Sequence, residues 1–388
     1  MPSYAAANTV PVRENRAGAW HLHGTLAAVE ARWRSLWTDC RGYAFQSFDW
    51  LYIWQRTLGE PLGWAPCIVE WRDPDGRTLA LWPLGRRREG PLQVLSFLGG
   101  DVTDYHAPLL HPAYAAALSP ADAPYVWNDV LRQCPRIDIV RVRRMPMQFA
   151  DGSINPFARL PGAASHESAH AALLPADIGA FRAARAAALF ADTRRQMRRL
   201  SERGTLRIEP VVRAGDQARV WQALVAQKSR RWRDTGAPDG FAHPELVAFY
   251  QGLTDGPLQD MQAVLSALYL DNLPIATHWG LRCGNRFYWL MPAYDADWSR
   301  YSPGRLLMEA VIGHCIDAGL AVFDLTVGDE PYKLQWADTH MPMVDLLQAR
   351  SLPGRMAVQL TRLRARARDV PALRKGVQWI KGWRSRRR

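Results

Sequence analysis

Four polar residues stand close together in the segment Tyr301–Asp338: Asp324, Glu330, Tyr332 and Lys333. Asp324 follows a short apolar run, and the other three lie in the acidic stretch just after it. Their types suit acyl transfer. Glu330 or Asp324 could take a proton from an acceptor amine or hydroxyl, and Tyr332 or Lys333 could return one to a leaving thiolate or contact an anionic substrate. Upstream, Ser302-Pro303-Gly304 feeds Arg305, Leu306 and Leu307. A turn that opens a helix leaves backbone N–H groups unpaired, which makes it a seat for an anion such as a pyrophosphate, and Arg305 could add a charge-assisted bond. A phosphate seat next to an acid/base group matches what an acyl-CoA thioester requires. The bland alternatives are an ordinary helix start and an aspartate that caps the next turn.

To hold these groups together, the segment must be a helix beginning at Pro303, then a strand ending near Asp324, then a loop. Three strands come before it, Ala263–Leu270, Ile275–Arg282 and Arg286–Pro292, with turns at Asp271-Asn272 and at Cys283-Gly284-Asn285. A long helix, Asp216–Arg233, carries Arg231 and Trp232 at its end, and His278 sits on the middle strand. These three are the expected substrate contacts. Farther upstream lies a basic helix, Thr193–Arg203, read as capped by Asp192 and closed by Gly204. Leu160–Ser165 reads as a boundary. The first part of the chain repeats the order of elements: helices (Leu26–Trp37, and Trp50–Leu58 after Ser47 and Asp49 as caps), a strand pair on either side of Asp73–Gly76, another strand, a helix and a strand at Ile137–Arg143. The order implies a duplication, with domains over 20–160 and 161–350 and a tail over 351–388.

The second half resembles the Gcn5-related N-acetyltransferase (GNAT) superfamily, and within it the group often labelled CelD/BioF2-like acetyltransferases. The resemblance is carried by Arg194, Arg195, Arg198 and Arg199, then Gly204, Arg231-Trp232, Leu273–Ala276, Tyr301–Gly304 with Leu306-Leu307, Gly319, Phe323-Asp324, Gly328, Glu330 and Tyr332-Lys333. The first half is similar to the companion domain of that group through Phe48–Trp50, Trp82–Leu84 with Arg86–Arg88, Leu98–Gly100 and Asp104-Tyr105. The fold implied is α/β (α+β), with two tandem GNAT-like domains, each a mixed, mostly antiparallel sheet flanked by helices. The first domain is then degenerate and helps to form the acceptor cleft. The implied co-substrate is acetyl-CoA or another acyl-CoA, without a metal, and the implied acceptor is a small molecule or a sugar, polysaccharide or envelope precursor, in exopolysaccharide or cellulose biosynthesis. The superfamily phosphate loop is Q/R-x-x-G-x-G/A, whereas this chain has Arg300-Tyr-Ser-Pro-Gly-Arg-Leu with one glycine. Tandem domains of this kind also resemble the Fem transferases, which use aminoacyl-tRNA. A Fem-like activity and a non-catalytic scaffold for polysaccharide synthesis at the membrane stand as alternatives.

Composition narrows the field. Of 49 Lys+Arg and 37 Asp+Glu, residues 350–388 hold 13 basic and one acidic, so the remaining 36 of each sign leave the body of the chain neutral. The high isoelectric point therefore belongs to the tail, which suits an anionic membrane surface more than nucleic acid, with a plain solvated extension as the equal alternative. In its second part, Leu373, Val377 and Ile380 share a helical face beside Trp379 and Trp383. Five scattered cysteines with no CxxC point to a reducing compartment. The start, residues 1–15, has no leader pattern, and no stretch is apolar enough to span a bilayer, so the expected place is the cytoplasm, with the tail as a peripheral anchor. His166-Glu167-Ser168-Ala169-His170 has the form of the zinc-protease HExxH, but it enters an apparent strand, where positions four apart are too distant to share one metal. There is no GxSxG, Walker or dinucleotide glycine pattern.

Overall fold

The computed structural model describes residues 18–369 apart from residue 41. The segment read for a leader and the distal tail with Leu373, Val377, Trp379, Ile380 and Trp383 lie outside the described residues.

In chain order the strands are β1 (Ala19–His23), β2 (Ala65–Arg72), β3 (Thr78–Glu89), β4 (Leu92–Phe97), β5 (Leu109–Leu110), β6 (Ile139–Pro146), β7 (Ala163–Leu173), β8 (Leu206–Glu209), β9 (Gln262–Leu270), β10 (Leu273–Cys283), β11 (Arg286–Tyr294), β12 (Val322–Val327) and β13 (Thr339–Ala349). The helices α1 (Glu30–Cys40) and α2 (Phe48–Trp54) separate β1 from β2, and α7 (Gln217–Thr235) and α8 (Pro244–Asp255) separate β8 from β9. The crossovers use α3 (Pro112–Ala117) and α4 (Ala123–Gln133) before β6, and α9 (Pro303–Asp317) before β12. The remaining helices are α5 (Ile178–Ala183) and α6 (Ala187–Ser201) after β7, α10 (Lys333–Trp336) before β13, and α11 (Leu352–Asp369) after it.

Apart from the short β5, which pairs with β3, the two halves repeat each other strand for strand. β1–β4 and β8–β11 are antiparallel runs, and each is followed by a helical crossover to a strand parallel to the last, β4 beside β6 and β11 beside β12. Tight turns with left-handed Asp271 and Gly284 join β9 to β10 and β10 to β11. The two GNAT-like units are not separate sheets. β7, which leaves the first half, pairs with β12 of the second, and β13, which leaves the second, pairs with β6 of the first. β7 and β13 also pair with each other, which makes one continuous sheet.

Aromatic packing locks the halves together. Phe45 meets Tyr288 edge-on at 5.4 Å and Trp50 meets Phe249 at 5.0 Å. Trp33, Trp50, Trp54, Trp82, Trp279 and Trp336 are fully buried, so much of the tryptophan content is core.

Two expected caps are corrected. Ser47 does cap α2, accepting the Trp50 amide at 3.2 Å. Asp49 instead reaches across the halves, taking Arg34 at 2.5 Å and the Gln259 amide at 2.6 Å. The basic helix starts earlier than expected, at Ala187, so Asp192 lies inside it. There Asp192 pairs with Arg195 and Arg305 and is no cap.

Candidate active site

β11 and β12 are in register only over Arg286–Tyr288 and Val322–Asp324. Beyond that the two strands part. The rest of β11 pairs only with β10, and the end of β12 only with β7, so two strand edges face each other across a gap with no strand between them. Such edges can bind an extended, amide-bearing ligand through the backbone.

α9 opens at this end of the sheet. Ser302 is left-handed (φ 52°), makes no side-chain cap, and accepts the Arg305 and Leu306 amides at 3.0 and 3.3 Å on its carbonyl. Pro303 has no N–H. The Gly304 amide is therefore the first N–H that α9 offers at the turn. Pro303, Leu306 and Leu307 bury their side chains in the core, so only their backbone faces the turn. Arg305 is held by Asp192, and its Nε is buried without a partner. A second cation stands nearby. Arg231 donates to the Tyr294 hydroxyl at 3.2 Å, and Tyr294 lies 3.5 Å from where a Cβ on Gly304 would sit. A candidate anion seat at this turn would draw on the helix N-terminus, with Arg231 on the far side of Tyr294.

The acidic side is built on a kink. Thr326 has φ 59°, a left-handed conformation costly for a β-branched residue, and the register of β12 against β7 slips there. The kink turns the chain after Asp324 toward the gap. Asp324 itself is buried and fully engaged. Tyr105 of the first half donates to it at 2.7 Å, Arg286 at 2.8 Å and the Thr326 amide at 2.8 Å. Its geometry is that of a clamp between the halves.

Glu330 is exposed and pairs with buried Lys333 at 2.9 Å, while Lys333 also donates to the Val327 carbonyl at 2.8 Å. Burial pushes the Glu330 carboxyl up, but Lys333, through its hydrogen bond and charge, outweighs this and holds it below the ordinary range. Gly328 makes room for the pair: at φ 124°, a Cβ there would lie 2.5 Å from Glu330 Oε2. Tyr332 is half-buried. Burial, and then the Glu330 charge, raise its phenol against the opposing charge of Arg231, so the phenol is protonated near neutral pH. Glu330, Tyr332, Lys333, Arg231 and the Gly304 turn therefore gather at one end of the gap.

Two expected substrate contacts are engaged in packing. His278 is buried, stacked on Trp289 at 3.7 Å, with Nε2 lacking a partner, and a Cβ on Gly280 would meet the Tyr288 carbonyl and the His278 ring. Trp232 packs on Phe241 at 5.4 Å.

Groups that sequence reasoning passed over complete the site. Lys228 has no carboxylate in ion-pair range among the described residues. Burial, then the neighbouring Arg231, lower its ammonium to about 8, against the pull of Glu330. Asp104 comes from the first half and pairs with Arg144 at 3.1 Å. Burial raises its carboxyl to about 6, although Arg144, Thr326 and Lys333 pull it down. Asp104-Tyr105 was visible as a motif, but its reach across the halves was not. Lys228 left no signal beyond a lone lysine on a helix.

The HExxH stretch lies in β7, where Glu167 pairs with Arg144 and His170 with Asp329 at 3.0 Å. No group of three potential metal ligands forms among the described residues.

Residues 187–334 match the family model of the Acetyltransferase (GNAT) domain. Among solved structures, the chain is similar to a crystal structure of FemX, with a TM-score of 0.59 and 10% identity, covering 88% of this chain and 99% of that one. A tandem GNAT protein from the clavulanic acid biosynthesis pathway aligns at TM-score 0.46 and 11% identity, over 86% of this chain and 98% of that one. The FemX likeness bears on the fold alone. No curated protein matches the chain at a significant level. The domain match supports a GNAT-type transferase domain over residues 187–334.

Proposed function

We propose that the protein transfers an acyl group, acetyl first among candidates, from acyl-CoA to an amine or hydroxyl acceptor bound where the halves meet. The observation that carries this is the β11/β12 gap, with an open helix N-terminus and Arg231 on one side and Glu330, Lys333 and Tyr332 on the other. In this reading the donor's pyrophosphate rests at the Gly304 amide and Arg231, and its amide-bearing arm lies along the strand edges. Glu330, kept ionised by Lys333, takes the proton from the acceptor as its nitrogen or oxygen bonds to the thioester carbon. The C–S bond breaks, and Tyr332 gives a proton to the departing thiolate. Asp104, Lys228 and Arg144 lie on the acceptor side. The resemblance to CelD/BioF2-like acetyltransferases makes a sugar or envelope precursor the first acceptor to try.

Calorimetry with acetyl-CoA tests the donor site. The wild type should bind, Gly304→Trp should not, and Glu330→Gln should bind normally yet lose about 10²–10⁴-fold in turnover. Absence of CoA binding by the wild type, with tRNA co-purifying instead, would favour the aminoacyl-tRNA alternative and remove this one.

A further inference from the structure

α11 is apolar on two sides, and the described residues cover only one. Its inner side is fixed to the first half: Val358 packs with Val94 and Ile139, the Ser351 hydroxyl donates to Asp138 at 2.6 Å, and the Arg350 amide donates to the Asp138 carbonyl at 2.8 Å. Asp138 also accepts the Gln93 amide at 2.8 Å, so the base of the helix is tied to the sheet. Gly354 is required where the helix crosses Asp138, because a Cβ would overlap that carbonyl.

The outer side carries Leu352, Met356, Leu360 and Leu363, exposed by 73, 76, 47 and 60%. At about 100° per residue these four fall within an arc of about 80°, centred about 180° from Gly354 and Val358. A helix that continues past its docking site with a second apolar stripe needs something to cover it. Charge identifies the cover. The stretch 350–388 holds 13 Lys+Arg and one acid, while the rest of the chain is neutral.

We propose that α11 lies on an anionic lipid surface, with Leu352, Met356, Leu360 and Leu363 in the acyl–headgroup boundary and the net positive charge of residues 350–388 drawing the helix to the phosphates. Interfacial helices have this pattern, in which apolar area and charge both contribute to binding. No helix among the described residues is long and apolar enough to cross a membrane, so this contact is with the surface. Because the helix is clamped at Asp138, it would also fix how the molecule faces the bilayer. The inference stands apart from the acyltransferase reading, since no residue of α11 lies in the candidate active site.

The test is co-sedimentation of the full chain with phosphatidylcholine vesicles, with and without about one-third phosphatidylglycerol. The wild type should pellet with the anionic vesicles only and be released by salt. Replacing Leu352, Met356, Leu360 and Leu363 together by Ser should weaken binding by about tenfold or more, with an unchanged melting curve because all four are exposed. The proposal is overturned if the serine variant partitions like the wild type, if the wild type ignores anionic vesicles, or if the basic segment prefers RNA and the stripe makes no difference. A lower melting temperature for the serine variant would show the stripe covered by the chain itself, which also overturns it.

Discussion

Asp324→Asn separates a clamp from a catalyst. The carboxylate holds Arg286, Tyr105 and the Thr326 amide, and Arg286 is only 18% exposed on its side chain. Asparagine keeps the shape but removes the charge and turns an N–H₂ toward a guanidinium, leaving a largely buried cation without its counter-ion. Breaking a buried pair from one side costs about 3–5 kcal/mol, and the partial exposure of Arg286 favours the lower figure. Unfolding entropy of about 2.1 cal/mol/K per residue gives about 0.8 kcal/mol/K for a chain of 388 residues. A loss of about 3 kcal/mol should therefore lower Tm by about 4 °C. Adding Arg286→Met should recover part of the loss, because the orphaned charge goes too, and the shortfall from additivity measures the coupling. Thermal melts of the two single variants and the double variant provide the cycle, with acyl transfer assayed well below each Tm. If Asp324→Asn melts within about 1 °C of wild type but loses more than about 100-fold in turnover, Asp324 is the base and the clamp argument fails.

Two further substitutions probe the acidic end. Gly328→Ala forces a Cβ to within 2.5 Å of Glu330 Oε2 at a φ of 124°, so it should break the Glu330–Lys333 pair. The expected result is about 1–3 kcal/mol of lost stability together with a turnover defect like that of Glu330→Gln, and a normal pH–rate profile in this variant would count against Glu330. Asp104 has its carboxyl raised from 3.8 to about 6, by burial above all. Since the folded form holds the proton more tightly than the unfolded chain, this contribution to stability is full below about 4 and is lost as pH rises through about 6. Asp104→Asn stays neutral, so relative to wild type it should gain up to about 2 kcal/mol between pH 4 and 8, and a pH-independent difference between the two melts would show that Asp104 is not perturbed.

Much of this was legible locally. A proline and a glycine at the start of an apolar 3.6-residue pattern place α9 at Pro303, and alternating apolar residues between tight turns place β9, β10 and β11 close to their observed limits. The acidic loop with Glu330, Tyr332 and Lys333 also sits where the chain suggested. Short-range errors have short-range causes. An aspartate ahead of a basic run looks like a cap, but α6 starts earlier, at Ala187, because its alanines favour helix and Leu189 and Phe190 pack inward.

By itself, then, the sequence determined the elements, their order, the repeat and a candidate stretch for the chemistry, because propensity, periodicity and turn residues act over a few positions. Only the tertiary structure decided the partners. Asp324 reads as a candidate base until Tyr105, 219 residues away, is seen to donate to it. Arg231 reads as a group free for an acceptor until it is seen to donate to the Tyr294 hydroxyl, 63 residues away. Nothing local marks β7 and β13 as strands exchanged between the halves, since an apolar strand satisfies its edges with whichever neighbour the chain can reach. Side-chain pairing and strand order are settled by packing and chain closure across the whole molecule. For that reason the same Asp, Arg and Lys residues acquire their roles only after the two halves have closed into one sheet.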